Sequence, residues 1–360
     1  MLLPLSRSPH QLLALWLMLA SAFLGLATVY AQAEPLERIE RTERHMGVDF
    51  TIIAYTPPEK AKTALDAAFA KVAEVDKVCS DYEPESELSR LSASSPHVRP
   101  QPVGPLLGDI LAKSQQFAKD SDGAFDCTVG NLTKLWRRAK RQVELPPADQ
   151  LAEALKATGY KHLVVSADQK TAQLLLPKMR LDLGGIGQGY AVDLAMKVLH
   201  DHGITKVLID GSGDVLLADP PPGKDGWLVE IAPIEPKGEP TRHLRLAHCA
   251  ISTSGDAFRG VEIEGRRYSH IVDPKTGVGL PHRTSVTIIA PDCTTADAMA
   301  TAASVMGRVR GTEWIAKHPK CAALFVQIDD GSSGPASVTA TDNFPDSEND
   351  AEANVPETKN

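Results

Sequence analysis

A chain of 360 residues with 38 Lys+Arg against 46 Asp+Glu carries a formal net charge of -8, and 42% of it is hydrophobic and 23% charged. That acidic balance excludes a general nucleic-acid binder, which needs a basic face to neutralise phosphates. The composition also excludes a polytopic membrane protein and a wholly disordered chain, and the length suits one or two domains with full cores.

From the N-terminus, Arg7, the apolar run Gln11 to Val29 and the small-x-small triplet Ala31-Gln32-Ala33 predict a secretory signal over 1–33. The apolar run is long for a signal, so an uncleaved N-terminal anchor is the alternative. Export permits disulfides. The five cysteines, however, are odd in number and contain no C-x-x-C. They read as small buried hydrophobes with at most a bridge, not as a zinc or redox site.

Met46 to Tyr55 reads as a strand. Leu65, Phe69, Val72, Val75 and Cys79 recur at three- and four-residue steps and predict a helix over about 59–79. A loop follows, then a short helix begun by Ser86, then a helix marked by Leu106 to Phe117. Residues 136–149 are charged and contain proline, and read as a surface excursion. A short helix near 147–158, strands near 162–166 and 172–176, and a helix from Gly189 to His202 ended by Gly203 come next. About seven short strands fill 206–290. A helix from Thr294 to Met306, capped by Thr294 or Thr295, a helix from Arg310 to His318 and a strand from Ala322 to Gln327 complete the pattern. Without a βαβ rhythm, the class is α+β with mainly antiparallel sheets and flanking helices. From 329 onward the chain is polar and acidic, and reads as a disordered tail. The domain is 34–328.

Five segments are dense in residues that build sites. Ser80 to Leu91 offers Tyr82, a ring able to stack on a planar ligand or merely to anchor its turn. Gly123 to Trp136 offers Asp126 beside a glycine. Leu181 to Asp193 (LDLGGIGQGYAVD) places glycines before a helix, where backbone N–H groups can cradle phosphate, although the spacing fits a dinucleotide fingerprint poorly. His270, three residues before Asp273-Pro274, is a general-base or a structural histidine. Asp297 and Thr301 share a helix face at i, i+4 and suit a hard cation, or form only a polar stripe.

In this order GAFDCTVGNLTKLW, LDLGGIGQGYAVD, STSGDAF, SHIVDPKTG and SVTIIAPDCTTADAMATA resemble the FAD:protein FMN transferase (ApbE) family, from about Met46 to about Val326. The resemblance implies an FAD cleft between two halves of one catalytic unit. It also implies Mg²⁺ at the pyrophosphate and transfer of FMN to a Thr or Ser hydroxyl of an acceptor protein, with release of AMP. The implied acceptors are flavin-bearing subunits of membrane redox complexes, and the implied location is the periplasm or the outer face of the cytoplasmic membrane. Residue by residue, it implies FAD contacts at Met46, Tyr82, Ala124, Phe125, Asp126, Asp182, Gln188 and Val272. Metal ligands are implied at Gly185 (carbonyl), Asp297 and Thr301, and a catalytic base at His270. Gln188 stands where Lys is common, Ser212 where a second glycine is usual, and Asn131 where proline is usual. An FAD pyrophosphatase giving FMN and AMP, and a non-catalytic flavin-binding protein, are the rival readings.

Overall fold

The computed structural model describes residues 35–232, 234, 240–255, 260–328 and 336–348. The expected signal, Asp256 to Arg259 and the stretches 329–335 and 349–360 lie outside the described residues. The chain divides into Met1–Leu36 and Glu37–Asn360, and the second unit holds all that follows.

In chain order the elements are β1 (Glu37–His45), β2 (Val48–Thr56), α1 (Pro58–Cys79), α2 (Glu87–Ala93), β3 (Gln101–Pro102), α3 (Pro105–Asp120), α4 (Gly130–Gln142), α5 (Ala148–Lys156), β4 (Leu163–Val165) and β5 (Thr171–Leu174). Then come α6 (Gly187–Asp201), β6 (Val207–Asp210), β7 (Asp214–Leu217), β8 (Trp227–Ile231), β9 (Arg242–Leu246), β10 (Cys249–Gly255), β11 (Val261–Ile263), β12 (Arg266–Tyr268), β13 (Arg283–Ala290), α7 (Cys293–Ile315), β14 (Ala322–Ile328) and β15 (Ser337–Ala340). The class is α+β, as the sequence predicts. The main sheet has eight strands in the order β1-β2-β6-β7-β10-β13-β14-β15, and every pairing in it is antiparallel.

Strand alternation divides the sheet's side chains between two cores. Phe50, Ile52, Ile209, Val286, Ile288 and Phe325 face α1, α6 and α7. Leu217, Ile251, Leu324 and Val326 face the β8–β9 hairpin. A third cluster joins α4 and α5 to the β11–β12 hairpin through Leu132, Trp136, Ala154, Ile263 and Val272.

Four expectations change. Met46 does not open a strand: with Gly47 it forms the two-residue turn between β1 and β2, at φ 51° and 76°. Two left-handed residues in that position match the twist of a hairpin. The charged run after Trp136 is not an excursion, because α4 continues through it to Gln142. Helix α7 is capped by Asp292, not by Thr294 or Thr295, while its break at Gly307, where φ is 75°, falls between the two helices the sequence predicts. The expected disordered tail is folded over residues 336–348: β15 pairs with β14, Phe344 is buried in the hairpin-side core, and Glu348 accepts from Arg245 of β9. Cys79, Cys127, Cys293 and Cys321 match expectation as buried hydrophobes, Cys249 is only half-buried, and all five are free thiols.

The start of α7 is held from two sides. Asp292 accepts from the Thr295 N–H, and Asp193 of α6 accepts from the N–H groups of Cys293 and Thr294, each at 2.8 Å. Burial holds the Asp193 carboxyl above the ordinary aspartate range, only partly countered by those donors. A carboxyl whose folded pKa exceeds its unfolded pKa binds its proton more tightly when folded. Its contribution to stability is therefore fullest below the unfolded value and shrinks as pH rises through the folded one. Asp193→Asn should cost about 1–2 kcal/mol at neutral pH through the weakened cap. That deficit should widen as pH is lowered toward about 3.9, read by urea unfolding at each pH.

Candidate active site

The glycine-rich turn before α6 is the hub. A Cβ placed on Gly185 would lie 2.9 Å from Thr301 Oγ1, one on Gly187 3.3 Å from Met46 Cε, and one on Gly189 2.9 Å from Asp297 Cβ. Met46, Gly185, Gly187, Gly189, Asp297 and Thr301, scattered over the sequence, therefore converge where the first turn of α6 meets α7. Asp297 is 5% exposed and accepts from the Gly189 N–H at 3.2 Å. Gln188, half-buried, lies in the same first turn. Thr301 is one helical turn beyond Asp297, so the two side chains share a face.

On the other flank of the turn, Asp182 Oδ1 accepts from the Gly184 N–H at 2.8 Å. Its Oδ2 accepts from Thr133 Oγ1 at 2.6 Å and from Arg137 Nη2 at 2.7 Å. Arg137 also donates to Asp81 Oδ2 at 2.5 Å, and its guanidinium lies 4.4 Å from the centroid of the Tyr82 ring. Tyr82 itself is 71% exposed. Burial and the nearby Asp182 raise the Asp81 carboxyl despite Arg137 and Arg180. Burial lowers the Arg137 guanidinium, but Asp182 and Asp81 outweigh it and hold the group above its ordinary value. The result is a fixed cation beneath an exposed aromatic face, a platform on which a planar ring can stack.

The remaining predicted residues are placed differently. Ala124 and Phe125 are buried, and Phe125 packs edge-on against Phe117 at 6.3 Å. Asp126 turns inward: Oδ1 accepts from the Thr128 N–H and hydroxyl, and Oδ2 from the Tyr160 N–H at 2.7 Å. It thereby shapes the loop that Asp182 joins through its N–H to the Cys127 carbonyl. Val272 is buried against α4, and His270, exposed, sits two residues before it. The loop that follows is pinned by Trp136 Nε1 donating to the Gly277 carbonyl at 2.8 Å and by Lys275 pairing with Asp122. Thus α4 touches both the Tyr82–Asp182 flank and the His270 loop.

Sequence reading missed Asp81, Thr133 and Arg137. Only Arg137 left a trace, as the first of a basic run directly after the apolar Trp136. A groove of about 1600 Å³ between α3, β4, α6 and the start of α7 is lined by Tyr190, Asp193, Lys197 and Thr295, and by none of the predicted site residues. Among the described residues no three His, Cys, Asp or Glu side chains form a metal-holding group.

A family model, that of the ApbE family, matches residues 46–325. An FAD:protein FMN transferase of Escherichia coli K12 is 34% identical over 286 residues, covering 76% of this chain and 77% of that protein. One of Vibrio cholerae is 30% identical over 326 residues, covering 88% and 95%. Among solved structures, the flavin transferase ApbE from Vibrio cholerae superposes with a TM-score of 0.76 at 27% identity, covering 86% of this chain and 99% of that one. The apo flavinyl transferase ApbE of Pseudomonas stutzeri gives a TM-score of 0.75 at 28% identity, covering 86% and 96%. The chain belongs to the ApbE family, and it is a flavin transferase.

Proposed function

We propose that the chain transfers the FMN moiety of FAD to a Thr or Ser hydroxyl of an acceptor protein and releases AMP, with Mg²⁺ as cofactor. The observation that carries this reading is the convergence of Gly185, Asp297 and Thr301 at the first turn of α6, beside the Tyr82–Arg137 platform. A backbone carbonyl, a carboxylate and a hydroxyl are hard oxygen donors. A set with one carboxylate suits a cation that completes its shell with substrate phosphate and water, as Mg²⁺ does. When bound there, Mg²⁺ would neutralise charge on the pyrophosphate oxygens. Tyr82 would hold the isoalloxazine ring, and Met46, Gln188 and the N–H groups around α6 would line the phosphates. Ala124, Phe125, Asp126, Asp182 and Val272 would shape the rest of the FAD site.

In the reaction the acceptor oxygen attacks the FMN-side phosphorus. A new P–O bond forms, the P–O bond to the bridging oxygen breaks, and AMP departs with that oxygen. His270 takes the proton of the hydroxyl. The expected acceptors are flavin-bearing subunits of membrane redox complexes, reached in the periplasm or on the outer face of the cytoplasmic membrane if residues 1–33 direct export.

The test follows AMP release and acceptor mass together, with FAD and Mg²⁺, with and without a candidate acceptor. A gain of one FMN that requires both acceptor and metal is the expected result. AMP and free FMN at an equal rate without acceptor would indicate a pyrophosphatase, and no AMP a flavin-binding protein. His270→Ala should slow transfer by about a hundredfold or more while FAD affinity stays within about twofold. Lost FAD binding in that variant would make His270 a ligand contact instead of the base.

A further inference from the structure

Helix α4 carries Lys134, Arg137, Arg138, Lys140 and Arg141 and no acidic residue, in a chain whose net charge is -8. Its inward stripe is Leu132, Trp136 and Ala139, all buried. Lys134, Arg138 and Arg141 repeat that spacing two residues later. At about 100° per residue they form a second stripe on the opposite side of the helix. All three are exposed.

On other helices of this protein lysines find a carboxylate about one turn away: Lys62 with Asp66, Lys71 with Glu74, Lys156 with Glu153 and Lys197 with Asp201. Among the described residues, no carboxylate pairs with Lys134, Arg138 or Arg141, and Arg138 donates instead to the Gln142 side-chain oxygen at 2.7 Å. The stripe is therefore a concentrated positive field left uncompensated by an acidic protein.

Its location gives it a use. Arg141 acts electrostatically on Tyr82, and Arg137 stacks on the same ring. On its far side α4 holds the His270 loop through Trp136, whose ring also lies 5.0 Å from that of Tyr268. The stripe thus crowns the helix that links the flavin platform to the candidate base. The proposed phosphate and metal locus is built by α6 and α7, and none of the three stripe residues is among its groups.

We propose that the Lys134–Arg138–Arg141 stripe docks an acidic segment of the acceptor protein flanking its target hydroxyl, and so steers that hydroxyl toward His270. The proposal rests on the transferase reading above.

The probes are two synthetic peptides of equal length with one central Thr, flanked in one by Asp and Glu and in the other by Asn and Gln. Binding to the full chain is measured without FAD, and FMN transfer is measured separately. At low salt the acidic peptide should bind about tenfold more tightly than the neutral one, and the difference should collapse at about 0.5 M salt. The double variant K134E/R138E, which leaves Arg141 and the Tyr82 platform intact, should remove most of the preference while FAD affinity stays unchanged. The milder K134Q/R138Q should fall between it and the unaltered chain. Equal binding of both peptides to the unaltered chain would overturn the proposal. So would a fall in FAD affinity that tracks the variants, or capture by anionic vesicles with peptide preference unchanged. Acidic-peptide preference without any FMN transfer would uphold the docking face and count against the transferase reading.

Discussion

Asp297→Asn should lower FMN transfer by about a thousandfold, or about 4 kcal/mol of barrier, while the protein stays folded. The side chain is 5% exposed and meets the Gly189 N–H at 3.2 Å. An asparagine has the same shape, and its amide oxygen still accepts that bond, so the junction of α6 and α7 survives. What disappears is the negative charge, and with it the one carboxylate of the proposed Mg²⁺ set. A buried carboxylate is itself costly, so its neutralisation carries little stability penalty of its own. The measurement is AMP release and acceptor mass across an Mg²⁺ titration, paired with a thermal melt. Turnover near that of the unaltered chain would remove Asp297 from the metal site.

Gly189→Ala should destabilise the fold by about 3 kcal/mol, at the upper end of what overpacking costs. A Cβ there would sit 2.3 Å from the Cys293 carbonyl oxygen and 2.7 Å from its carbon. Both are backbone atoms at the capped start of α7, and neither can swing aside. The two helices must separate, which carries Asp297 away from Gly185. Activity should therefore fall further than the folded fraction does. Gly187→Ala is the control, because its Cβ would meet the flexible end of Met46 at 3.3 Å and Leu183 Cβ at an ordinary 3.9 Å, and no backbone atom of another element within 4 Å. That variant should lose less than about 1 kcal/mol. Urea unfolding of the pair decides it: equal losses would mean that the contact with Cys293 is not what demands glycine.

Much of this was legible in the sequence because local patterns reported it. The 3.6-residue apolar period located α1, and the glycine-rich turn located the start of α6. The class of fold followed from the absence of a βαβ rhythm. β1 was invisible for a physical reason: ERIERTERH is an edge strand whose half-buried face, Ile39, Arg41, Glu43 and His45, is mostly charged or polar and so writes no apolar period. β15 was too short to show one. The Asp81–Arg137–Asp182 group joins residues 56 and 45 positions apart, and nothing local encodes such a meeting. Asp126 shows the converse. Its motif was conspicuous, but only coordinates could show its carboxylate turned toward Thr128 and Tyr160.

The folded C-terminal segment sets an order of events during folding. Phe344 and β15 help to close the core that also holds Trp227, Leu244 and Leu324, and Glu348 ties down Arg245. Those partners are made long before residue 348, so a growing chain carries an unfinished apolar sheet face until residues 337–348 are available. Pairings that span so much of the sequence are slow to form. An exposed strand edge beside apolar surface invites contact with other chains in that interval. A chain shortened before Phe344 would face that hazard permanently, even with every residue of the proposed FAD and metal sites still present.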